Sequence, residues 1–206
     1  AWYFLSYQIV AVGALYLLPG SVSGWSDEDK SNYSFEKWRY NVTHPIWDND
    51  AWYVNWVLHP YWGGAYYIRA RERGFDRTDS FWFSTVMSLL WEYGAEALAE
   101  PVSFTDIIVT PVLGSLLGEY VFAPWRARIR AKPGELDWSD KAVLALTDPL
   151  GVINAQIDTL FGVKSTVQVA PMGMRAPLQR REPAFAGVPP ASGKPSGWAV
   201  QIRVDW

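Results

Sequence analysis

The chain has no cysteine, only two histidines and three methionines among 206 residues. Without a thiol there is no disulfide framework, no thiolate metal site and no cysteine nucleophile, and the redox compartment stays undetermined. HExxH, G-x-S-x-G, the P-loop and G-x-G-x-x-G are all missing, so the hydrolase and nucleotide-binding classes they mark have no support. The Glu-x-x-His spacing of di-metal carboxylate bundles is missing too. A net charge of -3 and the lack of a basic stripe interleaved with aromatics exclude nucleic acid as a partner. No segment is a clean apolar 20-mer, and the mean hydropathy of -0.05 is low for a chain built only of spanning helices. Residue 1 is Ala, which fits removal of a secretory signal ahead of it.

Aromatics, by contrast, make up 16% of the chain, with 13 Trp against 9 Phe. That excess of Trp suits surfaces where an apolar body meets a polar edge, as at membrane interfaces. The run from Ala1 to Gly20 carries no charge and stops at Pro19-Gly20. Further helices are expected over 52–71, 80–100, 104–122 and 142–161. Thr78 or Asp79 is expected to cap the second of these, Pro101 to stop it, and Ser103 with Asp106 to form a capping box for the next. In an antiparallel arrangement Arg69, Arg71, Arg73 and Arg77 share one end with Arg126, Arg128, Arg130 and Lys132, while the opposite turn "EPVS" has no basic residue. Such asymmetry orients an inner-membrane protein, or meets anionic headgroups in an outer one.

These features predict a mainly α fold: a membrane-embedded bundle of about five kinked helices in residues 1–162. A Pro-rich extension over 163–206 comes after it. Its last stretch, "WAVQIRVDW", alternates as a strand and is expected to form a β-hairpin with "STVQVAPMGM" or to add to a partner's sheet through Trp198 to Trp206.

Three apolar segments carry a polar residue, then proline, then glycine: "HPYWG" at His59, "TPVLG" at Thr110 and "DPLG" at Asp148. Proline removes one helical hydrogen bond and clashes with the preceding turn, so Pro60, Pro111 and Pro149 are expected at kinks. The plainer role for the polar neighbours is to satisfy the freed backbone. Ser80, Ser84, Ser88, Glu92, Glu96 and Glu100 recur every fourth residue, a step that drifts about 40 degrees at 3.6 residues per turn. Ser84 to Glu96 still shares a broad face. If Glu92 and Glu96 are both buried, one must take a proton or find a cation.

The functional reading joins His59, Glu92 and Glu96 as catalytic groups, and Glu92, Glu96, His59, Asp106 and Glu119 as ligands of a divalent metal, with Asp148 nearby. A Ser88/His59/Glu92 triad is a further pairing on paper. Gly114 and Gly118 form a small-xxx-small spacing for close helix contact. His44, in a polar stretch, reads as a turn. Asn41-Val-Thr matches a glycosylation acceptor pattern.

Through "GALYLLP", "HPYWGGAYYIRARERG" and "WEYGAEALAEPVSFTDIIVTPVLGSLLGEY" the chain resembles the domain-of-unknown-function 3943 family of Gram-negative bacterial envelope proteins, over roughly residues 8–130. The resemblance implies an exported or membrane-associated helical domain without an established activity. It also marks His59, Pro60, Gly63, Tyr67, Arg69, Glu92, Glu96, Asp106, Pro111, Gly114 and Glu119 as the characteristic set. The leading expectation is a helical integral-membrane protein of the bacterial envelope, inner or outer, serving as a structural or assembly subunit in contact with lipid and other subunits. The alternative is a metal- or carboxylate-dependent enzyme acting on lipid, or a lipid or ion conduit.

Overall fold

The computed structural model describes residues 2–20, 25–31, 33–47, 50–161, 164–171 and 198–205, with side chains from Gln8 to Thr159. Its helices are α1 (Trp2–Leu17), α2 (Asp27–Ser31), α3 (Phe35–Thr43), α4 (His59–Arg71), α5 (Arg77–Leu90), α6 (Phe104–Leu117), α7 (Ala123–Arg130), α8 (Trp138–Thr147) and α9 (Pro149–Phe161). Backbone strand β1 (Lys164–Pro171) pairs antiparallel with β2 (Trp198–Asp205), Lys164 facing Asp205 and Pro171 facing Trp198. The Pro-rich stretch between them and Trp206 lie outside the described residues.

Three π-helical turns join these pieces: Val54–Leu58 leads into α4, Trp91–Ala95 prolongs α5, and Gly118–Phe122 links α6 to α7. The last of them corrects the expected end at Phe122. Pro124 sits in the first turn of α7, and the helix runs on from Phe104 to Arg130. A π-turn breaks the i→i−4 ladder just where the proline ring would clash with it. Pro60 likewise comes after a π-turn, while Pro111 lies inside α6. At Asp148 the chain does leave the helix, and the expected helix over 142–161 divides into α8 and α9, with Gly151 N–H donating to Asp148 Oδ1 at 2.9 Å. The start of α5 also differs from expectation: Asp76, not Thr78 or Asp79, is its cap, accepting from Asp79 N–H at 2.8 Å.

The centre is the packing of α4, α5 and α6. Gly63 and Gly114 let the α4 and α6 backbones touch. A Cβ built on Gly63 would strike the Thr110 carbonyl, and one on Gly114 would come within 2.5 Å of the Gly63 Cα. A Cβ on Gly118 would lie 2.7 Å from the Tyr67 ring. On the third side α5 offers Ser80, Ser84 and Ser88, all buried, with Ser84 Oγ donating to the Gly63 carbonyl at 3.0 Å. Small residues on all three helices therefore bring polar backbone together. Many large apolar residues face outward: Trp56, Trp82, Val86, Ile108, Leu116 and Tyr120 are all at least half exposed, whereas Tyr67, Ile68 and Phe122 form a buried apolar cluster.

Arg126 ties the basic end together. Its Nε meets Glu72 Oε1 at 3.0 Å and its Nη1 donates to the Leu144 carbonyl and Thr147 Oγ1. Arg130 reaches the other Glu72 oxygen at 2.7 Å, and Arg69 pairs with Asp148 at 3.0 Å. Arg69 at the end of α4 and the arginines of α7 thus share one end.

Hydropathy gives less than the sequence pattern predicts. Among the described residues one helix, Phe104–Arg130, is long and apolar enough to cross a membrane, and only 33% of its most apolar window is buried. Gln8–Leu17 is apolar but shorter. The other helices are interrupted by the serines and carboxylates of the polar centre, which lowers their hydropathy below that of a spanning segment.

Candidate metal centre

His59, Glu92 and Asp106 meet in this centre, one from each of the three helical stretches. Their nearest nitrogen and carboxylate oxygens all lie within 4.8 Å of one another. His59 Nε2 stands 3.3 Å from Asp106 Oδ1, and His59 Nδ1 is 3.1 Å from Thr110 Oγ1. Glu92, Asp106 and Thr110 are each at most 3% exposed.

Local structure aims each group. His59 is the first residue after one π-turn and Glu92 lies inside another. A π-turn adds a residue to the helical repeat and so rotates the next helical turn, and such turns recur at functional sites. Ser103 caps α6 by accepting from Asp106 N–H at 3.1 Å. In a capping box the acid at the third helical position reaches back to the cap's own N–H. Here Glu92 Oε2 accepts that N–H at 3.0 Å instead. Asp106 is thereby left pointing at His59.

Residues near the N-terminus hold the backbone that comes after α5. Trp38 Nε1 donates to the Tyr93 carbonyl at 2.8 Å and Asn41 Nδ2 to the Ala97 carbonyl at 2.9 Å, so both serve backbone loosened by the break after α5. Asn41 is buried in this role and cannot present itself as a glycosylation acceptor. Trp25 Nε1 donates to Glu100 Oε1 at 2.9 Å. Glu100, beyond the last helical turn, has its carboxyl pushed up to about 7 by burial, against the lowering effect of the Trp25 bond.

The donor set has a definite chemistry. One imidazole and two carboxylates suit borderline to hard divalent cations such as Zn²⁺, Mn²⁺ or Fe²⁺. With bonds near 2.1 Å, donors around one ion lie at most ~4.2 Å apart. The 4.8 Å bound on this cluster exceeds that limit by ~0.6 Å. Thr110 can hold the Nδ1–H of His59, which leaves the Nε2 lone pair for a cation, and such outer contacts orient metal-bound histidines.

The remaining predicted residues separate. Glu96 neighbours Glu92 but is not in the group; burial, and then the nearby Glu92 carboxylate, raise its carboxyl well above the ordinary range. Glu119 is not in the group: it accepts from Tyr67 Oη at 2.6 Å and pairs with Arg77 at 2.6 Å. Asp148 is engaged by Arg69 and Arg126. Ser88 Oγ donates to the Asp106 carbonyl at 3.4 Å and not to His59, so the Ser88/His59/Glu92 triad does not form. His44 stacks on Tyr40 at 4.2 Å and closes α3. The contributions of Thr110 and Ser103 to the site were not read from the sequence, although each stood beside a visible signal, a Thr-Pro pair and a capping pattern.

A helical domain with a buried His/Glu/Asp cluster is the class this geometry defines. The chain belongs to the family described as Domain of unknown function (DUF3943), whose pattern matches residues 44–150. The match contains all of the cluster and extends further toward the C-terminus than the resemblance did, and it leaves out "GALYLLP". No curated protein and no solved structure matches the chain.

Proposed function

We propose that this protein is a helical protein of a bacterial envelope membrane that binds one divalent cation through His59, Glu92 and Asp106. The observation that carries the reading is the convergence of these three side chains from three separate helical stretches to within 4.8 Å. Three protein ligands leave coordination positions open, as catalytic rather than closed structural sites do. A metal-dependent activity on a hydrophobic substrate is the use that fits such a site best.

The membrane part rests on polarity. Serines, carboxylates and Thr110 are buried beside the Tyr67, Ile68 and Phe122 cluster, while Trp82 and aliphatic side chains of α5 and α6 face outward. Soluble proteins expose scattered apolar residues but rarely a surface of this kind. Thermal unfolding with added Mn²⁺ or Zn²⁺ tests the metal part, because a ligand that binds only the folded state raises its stability. A midpoint that rises with either metal, and no longer does so in His59→Ala, supports the reading; a midpoint indifferent to both overturns it.

A structural or assembly subunit is the second reading. The two-stranded sheet favours it, since such a sheet is marginal alone in water and gains from a strand added by a partner.

A further inference from the structure

Beside the π-turn that precedes α4, an apolar groove of about 550 Å³ runs along α6. Trp56, Val57 and Pro60 form one wall; Leu113, Leu116 and Tyr120 form the other. Trp56 and Tyr120 are 60% and 69% exposed, so the groove opens outward from the bundle. Its lining on the long helix extends from Leu113 to Val121, about 12 Å at 1.5 Å per residue. One leaflet of a bilayer is about 15 Å of hydrocarbon.

The helix changes character just past the groove. Trp125, half exposed, comes first. Arg128 comes next, exposed and without an ion pair among the described residues, whereas Arg126 and Arg130 on either side are both bound to Glu72. Arg128 lies seven residues past Val121 on the same helix, about 10 Å along the axis, and helical side chains lean toward the N-terminus of their helix. Apolar groove, indole and then guanidinium match the order of acyl chain, interface and phosphate in a leaflet. A partner helix would need an apolar stripe continuing past Trp125, where this helix turns basic.

We propose that the groove is a binding site for one anionic phospholipid, with an acyl chain between the Trp56 and Leu116 walls and its phosphate on Arg128. The proposal rests on the membrane reading above and is independent of the metal. The test places the full chain in vesicles of phosphatidylcholine containing phosphatidylglycerol with a photoactivatable acyl chain, and maps the adducts by mass spectrometry. Adducts are expected to concentrate on peptides holding Trp56–Pro60 and Leu113–Val121. Arg128→Gln should lower them about fivefold, the effect of one arginine near an anionic headgroup. Leu116→Trp, which fills the groove from an exposed position, should lower them as well. Adducts spread evenly over the outer helices, or unchanged in both variants, would overturn the site while leaving the membrane reading in place. A chain that stays soluble without detergent and takes no label would remove the membrane reading itself.

Discussion

Glu92 accepts the backbone N–H of Ser103 at 3.0 Å, in the place that Asp106 would fill in an ordinary capping box. The consequence is that Asp106 faces His59 at 3.3 Å. One hydrogen bond between two segments thus frees Asp106 from its capping role to face His59.

Glu92→Gln keeps an oxygen for Ser103 and removes the charge. The variant should fold with unchanged helix content by circular dichroism. Glu92→Ala, which strands the buried N–H, should lose ~1–3 kcal/mol in denaturant unfolding. Equal losses for the two variants would show that the Ser103 bond is not what Glu92 contributes to the fold.

Thr110→Val removes the hydroxyl beside His59 Nδ1 at nearly constant shape. Metal affinity should fall about 10- to 100-fold, the usual cost of losing an orienting partner, with folding retained. Thr110→Ser should restore most of it. Calorimetric titration with Zn²⁺ decides, and an affinity equal to wild type in Thr110→Val would rule out the orienting role.

At the backbone contact, Gly63→Ala and Gly114→Ala should each destabilise by ~1–3 kcal/mol or more, because the added methyl meets backbone that cannot yield. Gly94→Ala is the control, with nothing within 4 Å of its added methyl. Chemical unfolding of the three variants gives the comparison; a loss at Gly94 as large as at Gly63 would contradict this packing.

The helices were legible wherever proline, glycine and apolar runs coincide, as over 52–71 and 104–122. The π-turns were not, because no residue pattern announces an i→i+5 bond. That gap explains the misjudged end at Phe122: Pro124 reads as a stop, yet it comes after a turn in which the α-helical ladder is already interrupted. The site was legible as a pool of candidates. His59, Glu92 and Asp106 were in it, but so were Glu119 and Asp148, which the structure gives to arginines. Helical spacing says which residues share a face and not which faces meet. The small residues that decide the meeting, Gly63, Gly114 and Ser84, gave only faint signals of their own.

Glu100 supplies a pH test. Its carboxyl is raised to about 7 from an ordinary 4.5, so the folded state holds more protons than the unfolded state between those values. Its contribution to stability is complete below pH 4.5 and is lost as pH rises through 7. The thermal midpoint of wild type should therefore fall over that window relative to Glu100→Gln, which keeps a partner for Trp25 and cannot ionise. Parallel pH profiles for the two proteins would refute a buried, titrating Glu100.

The metal itself is the central claim, and the metal content of natively purified protein measures it most directly, by inductively coupled plasma mass spectrometry beside a Glu92→Gln, Asp106→Asn double variant. One equivalent of zinc, manganese or iron in wild type, and none in the folded variant, is the expected result. A metal-free wild type that also takes up none of the three on addition would contradict the account and leave His59, Glu92 and Asp106 as a packing cluster.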